Sequence, residues 1–457
     1  MLTIVSFIVA LALLIAVHEW GHYRVAVACG VKVLRFSVGF GKTLVRWKPA
    51  RQRPGQDTEF VIGAFPLGGY VKMLDERETP VAPEERHLAF NTQPLAKRAA
   101  IVAAGPLANL LLAVLLYAGV NWWGALEPQP VLASPIAGSI AEQAGLRGGE
   151  RVMRAGFDDD GMAEMRSFED VRWLLTRGAL DGHDVQLELM DGDRGRGRQV
   201  ILPLGALRPA DADAQLFRRI GILAPLTQPV IGDVMPNGAA ARSGLRQGDY
   251  VLRAGGQAIV DGQQLREWIR AQVRGEAPVA STWQVRRNGQ VLDLQVTPAV
   301  MDEGGRRIGR IGAYVGAAPE MLHVRYGPVE GLWRGMTKTW DVSLLTLRMM
   351  GRMLIGEASL KNLSGPLTIA DYAGKSASIG LLQYLVFLAM ISVSLGVLNL
   401  LPLPVLDGGH LMYYLFEAVT GRSVSDAWME RLQRGGVAVL LVMMTIALFN
   451  DVTRLFG

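Results

Sequence analysis

His18-Glu19-Trp20-Gly21-His22 follows sixteen residues, Leu2 to Val17, that carry no charge. Tyr23 and the apolar Val25-Ala26-Val27-Ala28 continue the run. A stretch of this length and apolarity predicts a helix that enters a bilayer. Residues i and i+4 of a helix project from nearly one face. Two imidazoles at that spacing can hold one metal ion, with the glutamate between them placed to act on a bound water. Ionisable groups at membrane depth are costly, so His18, Glu19 and His22 are functional candidates by their position alone.

The rest of the composition fits a membrane protein. Half of the 457 residues are hydrophobic, and mean hydropathy is +0.22. The apolar excess collects near residues 2–17, 99–120, 381–406 and 437–449, and the middle of the chain reads as a soluble insert. A net charge of +5 without a basic patch interleaved with aromatics gives no reason to expect nucleic acid as a partner. Cys29 is the only cysteine and excludes an intramolecular disulfide. It reads as a bystander near the end of the first helix, with a ligand role as the alternative. The opening run has no basic n-region and no small-x-small cleavage site, so it is expected to stay as the first span, residues 1–30. Thirteen lysines and arginines lie between Arg24 and Arg98, which predicts a cytoplasmic loop and an N-terminus on the other side. A rise of about 1.5 Å per residue then puts His18 roughly 22 Å in, nearer the cytoplasmic face of a core about 30 Å thick.

Residues 31–98 hold two Gly-rich pieces, Val33–Trp47 and Glu59–Met73, where β-branched and aromatic residues alternate with turn glycines. They predict hairpins, either an ordinary cytoplasmic sheet or an edge strand dipping toward the metal. Residues 99–122 form the second span. Its Gly105-Pro106-Leu107-Ala108-Asn109 is either a packing kink or support for the metal. In the insert, Ala144-Gly145-Leu146-Arg147-Gly148-Gly149-Glu150 recurs as Ser243-Gly244-Leu245-Arg246-Gln247-Gly248-Asp249. Each copy precedes a helical stretch and further strands. The pattern resembles PDZ domains of bacterial proteases and implies two β-rich domains, at 128–225 and 226–315. The groove loop of the second would lie near Ile220-Gly221-Ile222. The alternative is a pair of β-rich spacers with blocked grooves.

Residues 325–364 carry an apolar stripe, Trp333, Met336, Trp340, Leu344, Leu347 and Leu354. It predicts an amphipathic helix on the membrane surface or against the insert. The third span, 379–412, ends in Asn399-Leu400-Leu401-Pro402-Leu403-Pro404-Val405-Leu406-Asp407-Gly408-Gly409-His410. Pro402 and Pro404 cannot continue a helix, so the chain unwinds at about the depth of His18. A catalytic zinc takes three protein ligands and one open position. Asp407 is the preferred third ligand, and His410 is its competitor. A last span covers 435–455.

Taken together, the histidine–glutamate motif, Gly-Pro-Leu-Ala-Asn, the Asn-x-x-Pro-x-Pro-x-Leu-Asp-Gly run and the two repeats resemble the site-2 protease family over essentially the whole chain. The resemblance implies a polytopic α-helical membrane protein of about four spans, with a membrane-associated β-hairpin region and two inserted PDZ-like domains. It implies an intramembrane zinc metalloprotease of a bacterial inner membrane, with the termini and insert periplasmic. Zinc would be held by His18, His22 and Asp407, and Glu19 would be the general base. Asn399, Pro402, Pro404, Gly39, Phe40, Gly41, Gly68 and Gly69 would lie along the substrate. Substrates would be single-span proteins already cut outside, such as an anti-sigma factor, and remnant signal peptides. A metal-free scaffold using its repeats to hold peptides is the alternative. A metal transporter would need further ionisable residues along the spans, and the sequence has none there.

Overall fold

In the computed structural model the described residues are 2–157, 161–191, 197–207, 216–275, 277–303, 306–355 and 365–456. The chain divides into two compact units. One combines the residues up to Gly124 with those from Arg325 on, and the other is Ala125–Val324.

The first unit holds the apolar helices. Among the described residues, four are long and apolar enough to cross a membrane: Leu2–Ala28, Leu95–Trp123, Leu381–Asn399 and Ala427–Thr453. Their outer faces carry exposed leucines, valines and tryptophans, the arrangement expected against lipid. The segment anticipated over 379–412 proves to be two helices, Leu381–Asn399 and Asp407–Thr420. Pro402 and Pro404 lie in the turn between them, since neither can donate to a helical ladder. The last helix, expected over 435–455, begins earlier, at Asp426. A further helix, Pro366–Ile379, was not anticipated. It has Gly365 at its N-cap and Pro366 at its first position, where a missing N–H costs nothing.

Small residues and a few buried hydrogen bonds join these helices, because apolar side chains gain little by leaving lipid for protein. The first and second spans touch at Gly21, where a Cβ would stand 2.4 Å from the Ala104 carbonyl oxygen. Ser392 of the third span donates to the Asn109 carbonyl at 2.7 Å. Asp451 of the last helix is fully buried and caps Pro366–Ile379 from outside. Its carboxylate accepts from the N–H groups of Gly365, Leu367 and Thr368 at 2.9, 2.9 and 3.1 Å. Asp451→Ala is therefore expected to destabilise the protein by roughly 1–3 kcal/mol for each donor left unpartnered. The check is the thermal midpoint in detergent, and an unchanged midpoint would mean that the donors find other partners.

The helix expected within 325–364 runs from Pro328 to Leu354. Residues 356–364 lie outside the described residues. The predicted apolar stripe is not its packed face. Trp333, Met336, Trp340 and Leu347 are exposed. The contact is made by Gly331, Gly335 and Thr339, spaced four apart. A Cβ at Gly335 would lie 2.7 Å from the Val114 carbonyl oxygen of the second span. The helix rests on that span through small residues and turns its large ones outward.

The two Gly-rich pieces are strands, Val33–Trp47 and Glu59–Met73, but they are not side-by-side hairpins. Both bend and interleave. Arg35 to Val38 face Lys72 to Gly69 on one side, in antiparallel register. On the other side they face Glu59 to Ile62, with the numbers rising together. Thr43 to Trp47 then pair with Gly63 to Phe60. Gly69–Met73 is thus an outer strand, paired along one side only among the described pairings.

In the second unit the repeat is structural. The first copy forms a sheet of order Ala163–Glu164, Glu150–Phe157, Val185–Asp191, Gly197–Leu202. The second forms Gln257–Ala258, Tyr250–Ala254, Ser281–Arg287, Gln290–Val296, with the same connectivity. The acidic end of the repeated motif has one role in both. Glu150 accepts from the Arg147 and Gly148 N–H groups and pairs with Arg198 at 2.8 Å. Asp249 accepts from the Arg246 N–H and pairs with Arg287 at 2.6 Å. Ile220 and Ile222 are buried in the core of the first copy, not beside the second where the sequence reading set them. The Gly221 carbonyl accepts from the Ile136 N–H of the same copy. Two buried isoleucines do not line an open groove with their side chains.

Candidate metal centre

His18 and His22 project from consecutive turns of the first span. Asp407 comes to them from the start of Asp407–Thr420. The tight turn before it requires glycines after it. A Cβ at Gly408 would stand 2.2 Å from the Leu401 carbonyl oxygen, and one at Gly409 would stand 2.3 Å from that of Leu403.

The ligating atoms of His18, His22 and Asp407 lie within 4.8 Å of one another, and no other such group occurs among the described residues. The two Nε2 atoms are 3.2 Å apart. Asp407 Oδ2 is 3.2 Å from His18 Nε2 and 3.6 Å from His22 Nε2. Two ligands on a tetrahedral zinc, each bonded at about 2.0–2.1 Å, are separated by about 3.4 Å. The donor set therefore fits zinc in chemistry and in spacing, with one position left over.

The second span orients the imidazoles. His22 Nδ1 lies 2.8 Å from the Ile101 carbonyl oxygen, so a proton there leaves Nε2 as a free lone pair. His18 Nδ1 lies 3.4 Å from Asn109 Nδ2, while Asn109 Oδ1 is buried without a partner. Turning the amide over exchanges these two atoms and sets an acceptor against His18 Nδ1–H. Both histidines then present Nε2 to the centre, as metal ligands held by outer partners do. Of the two readings of Gly-Pro-Leu-Ala-Asn, the geometry favours support of the metal site. Gly105 is the sequence's least visible contribution. A Cβ there would lie 2.2 Å from His22 Nε2 and 2.8 Å from His18 Nε2.

His18, Glu19, His22 and Asp407 line one cavity of about 750 Å³. Gly69 of the outer strand lies against Glu19, whose Cγ is 2.8 Å from where a Gly69 Cβ would stand. Tyr70, Val71 and Met73 continue that wall. Beyond the centre the cavity becomes polar. Arg98 and Glu417 pair at 2.6 Å, with the guanidinium over the Tyr414 ring. Burial pushes the Asp75 carboxyl up, but Arg77 donates to both its oxygens and holds it below the usual carboxylate range.

Of the other residues picked from sequence, Gly69 and His410 line this cavity, with His410 outside the three-ligand group. Gly39, Phe40, Gly41 and Gly68 gather at the bends of the interleaved strands, with Gly68 under the Phe40 ring and Gly41 under that of Phe65. Asn399 ends the third span, Pro402 is exposed, and Pro404 packs near Gly436 of the last helix. Cys29 is outside the ligand group, and its carbonyl accepts from Lys97.

Residues 6–443 match the model of Peptidase family M50, and the chain belongs to that family. It is a multi-pass membrane zinc metalloprotease. It is 39% identical over 461 residues to the regulator of sigma-E protease RseP of Escherichia coli, covering 98% of each chain. It is 45% identical over 470 residues to a Ralstonia nicotianae protein named as a zinc metalloprotease, covering 100% of this chain and 99% of the relative. A regulator of sigma E protease of Haemophilus influenzae is 38% identical over 454 residues, again with 98% of each chain covered.

Proposed function

We propose that this metalloprotease cuts peptide bonds within the membrane-spanning segments of single-span proteins. In this reading His18, His22 and Asp407 hold the zinc and Glu19 is the general base. The observation that carries it is the three-donor cluster in one cavity with Glu19 and an unpaired strand edge. When bound, zinc acidifies water toward a pKa of about 7 and polarises a carbonyl. Glu19 takes the proton of the attacking water and passes it to the leaving amine nitrogen. The Ile101 carbonyl and the Asn109 amide keep both imidazoles in their ligating tautomer. A helical substrate has its carbonyls locked in hydrogen bonds and must unwind to be cut. Gly69–Met73 can take the unwound segment as an added strand and satisfy its backbone groups away from water.

The proposed substrates are an anti-sigma factor already trimmed outside, in keeping with the sigma-E regulation in the names of two relatives, and remnant signal peptides as a second group. The inner membrane is the expected location, with both termini and the insert on the periplasmic side and the centre nearer the cytoplasm. The insert's two repeats, at 128–225 and 226–315, act as PDZ-like domains that exclude untrimmed substrates. A purely structural scaffold would have no use for a glutamate beside an open-sided donor set.

Two measurements test this in reconstituted vesicles. Asp407→Ala is expected to weaken zinc binding by well over the roughly 10–100-fold typical of losing an outer partner. Unchanged metal content would move the third ligand elsewhere. A single-span substrate lacking its external domain is expected to be cut and its full-length form spared. Equal cleavage of both would remove the gating role of the insert.

A further inference from the structure

The proposed chemistry leaves one demand only partly met by the metal's polarising of the carbonyl. As water attacks, the carbonyl oxygen of the cut bond gains negative charge and needs hydrogen-bond donors in place beforehand. Glu19 cannot serve, because it is the base. Asn399 does not line the cavity.

Two side chains on the Asp407 helix do line it and have no hydrogen-bond partner among the described residues. His410 stands three residues after Asp407, the spacing that puts two side chains on one helix face. It is outside the three-ligand cluster, and among the described residues its ring nitrogens have no hydrogen-bond partner. Tyr413, three residues further, is 6% exposed, and its hydroxyl is buried without a partner. The two rings meet edge to face at 6.0 Å. Leaving a buried hydroxyl unpaired costs about 1–3 kcal/mol. That cost is removed once the ring turns its hydroxyl onto an acceptor held in the cavity.

We infer that His410, with Tyr413 beside it, forms the donor pocket for the carbonyl oxygen during cleavage. This rests on the function proposed above. The water oxygen bonds to the carbonyl carbon, and the C=O π pair moves onto oxygen, where the His410 N–H and the Tyr413 O–H donate to it. The pair then returns, the C–N bond breaks with its electrons going to nitrogen, and that nitrogen takes the proton held by Glu19. A neutral imidazole has one N–H to give, so no change of charge on His410 is required.

The test compares His410→Ala and Tyr413→Phe with the parent enzyme in vesicles, reading zinc content, kcat and KM, and the affinity of two inhibitors. A phosphinic peptide carries tetrahedral anionic oxygens, whereas a hydroxamate of the same peptide chelates metal without that shape. His410→Ala is expected to lower kcat by roughly 10²–10³-fold with KM and zinc little changed. Phosphinic peptide affinity should fall by a similar factor, with the hydroxamate unaffected. Tyr413→Phe, which keeps the ring, is expected to lose about tenfold in both kcat and phosphinic affinity. An unchanged kcat, equal weakening of both inhibitors or loss of zinc from His410→Ala would each overturn the inference. The last would make His410 a ligand. Failure of the parent enzyme to cut any single-span substrate would instead sink the proposed function, which metal content and inhibitor binding report separately.

Discussion

Glu19→Gln is expected to lower kcat by roughly 10²–10⁴-fold while leaving zinc bound. The amide has the shape of the carboxylate, so it fits the narrow space beside Gly69. It cannot accept the proton of the attacking water. The ligands on either side, His18 and His22, keep their partners in the second span. A reconstituted cleavage assay with zinc measured on the same sample decides the matter. Persistent cleavage with zinc bound would remove Glu19 as the base. Loss of zinc along with activity would mean that Glu19 helps hold the metal.

The second large effect is at a residue that does no chemistry. Gly105→Ala puts a methyl carbon 2.2 Å from His22 Nε2 and 2.8 Å from His18 Nε2, closer than real carbon atoms approach. The rings cannot simply swing away, since Ile101 and Asn109 hold their far nitrogens. The centre is expected to lose its zinc and cleavage to fall to background. Gly119 on the same helix is the control, because a Cβ there meets nothing within 4 Å. Gly119→Ala should retain both zinc and activity. If Gly105→Ala keeps its metal, the second span stands further from the histidines than described.

Much of the centre is legible in the sequence because its chemistry is local. Two histidines at i and i+4 share a face in any helix, and a proline turn before Asp407 has to leave the helix wherever it sits. What the sequence hides is what depends on a neighbour. Gly105 is silent until it faces two imidazoles. Asn109 has two readings until His18 lies beside it. In the helix after the insert the large residues carry the apolar pattern, yet the small ones make the contact with the second span. Gly331, Gly335 and Thr339 were the informative ones. The strands were read as hairpins because alternation reveals a strand but not its partner. Ile220 and Ile222 illustrate the same limit, since an apolar pair looks alike in a groove and in a core.

The interleaved strands also dictate an order of assembly. Thr43–Trp47 and Phe60–Gly63 can zip together as soon as residue 63 leaves the ribosome, across a short connection. Arg35–Val38 then docks onto that pair from earlier in the chain, and Gly69–Met73, the last of the four pieces to be synthesised, adds along its free side. The wall beside Glu19 is thus the final piece laid down. As an outer strand it is paired along one side only, like Thr43–Trp47 at the opposite edge. Its amide hydrogens should exchange with solvent deuterium ahead of the two inner pieces, Arg35–Val38 and Glu59–Ile62. A segment that detaches easily and offers a free edge is suited to trading its water for another chain's backbone.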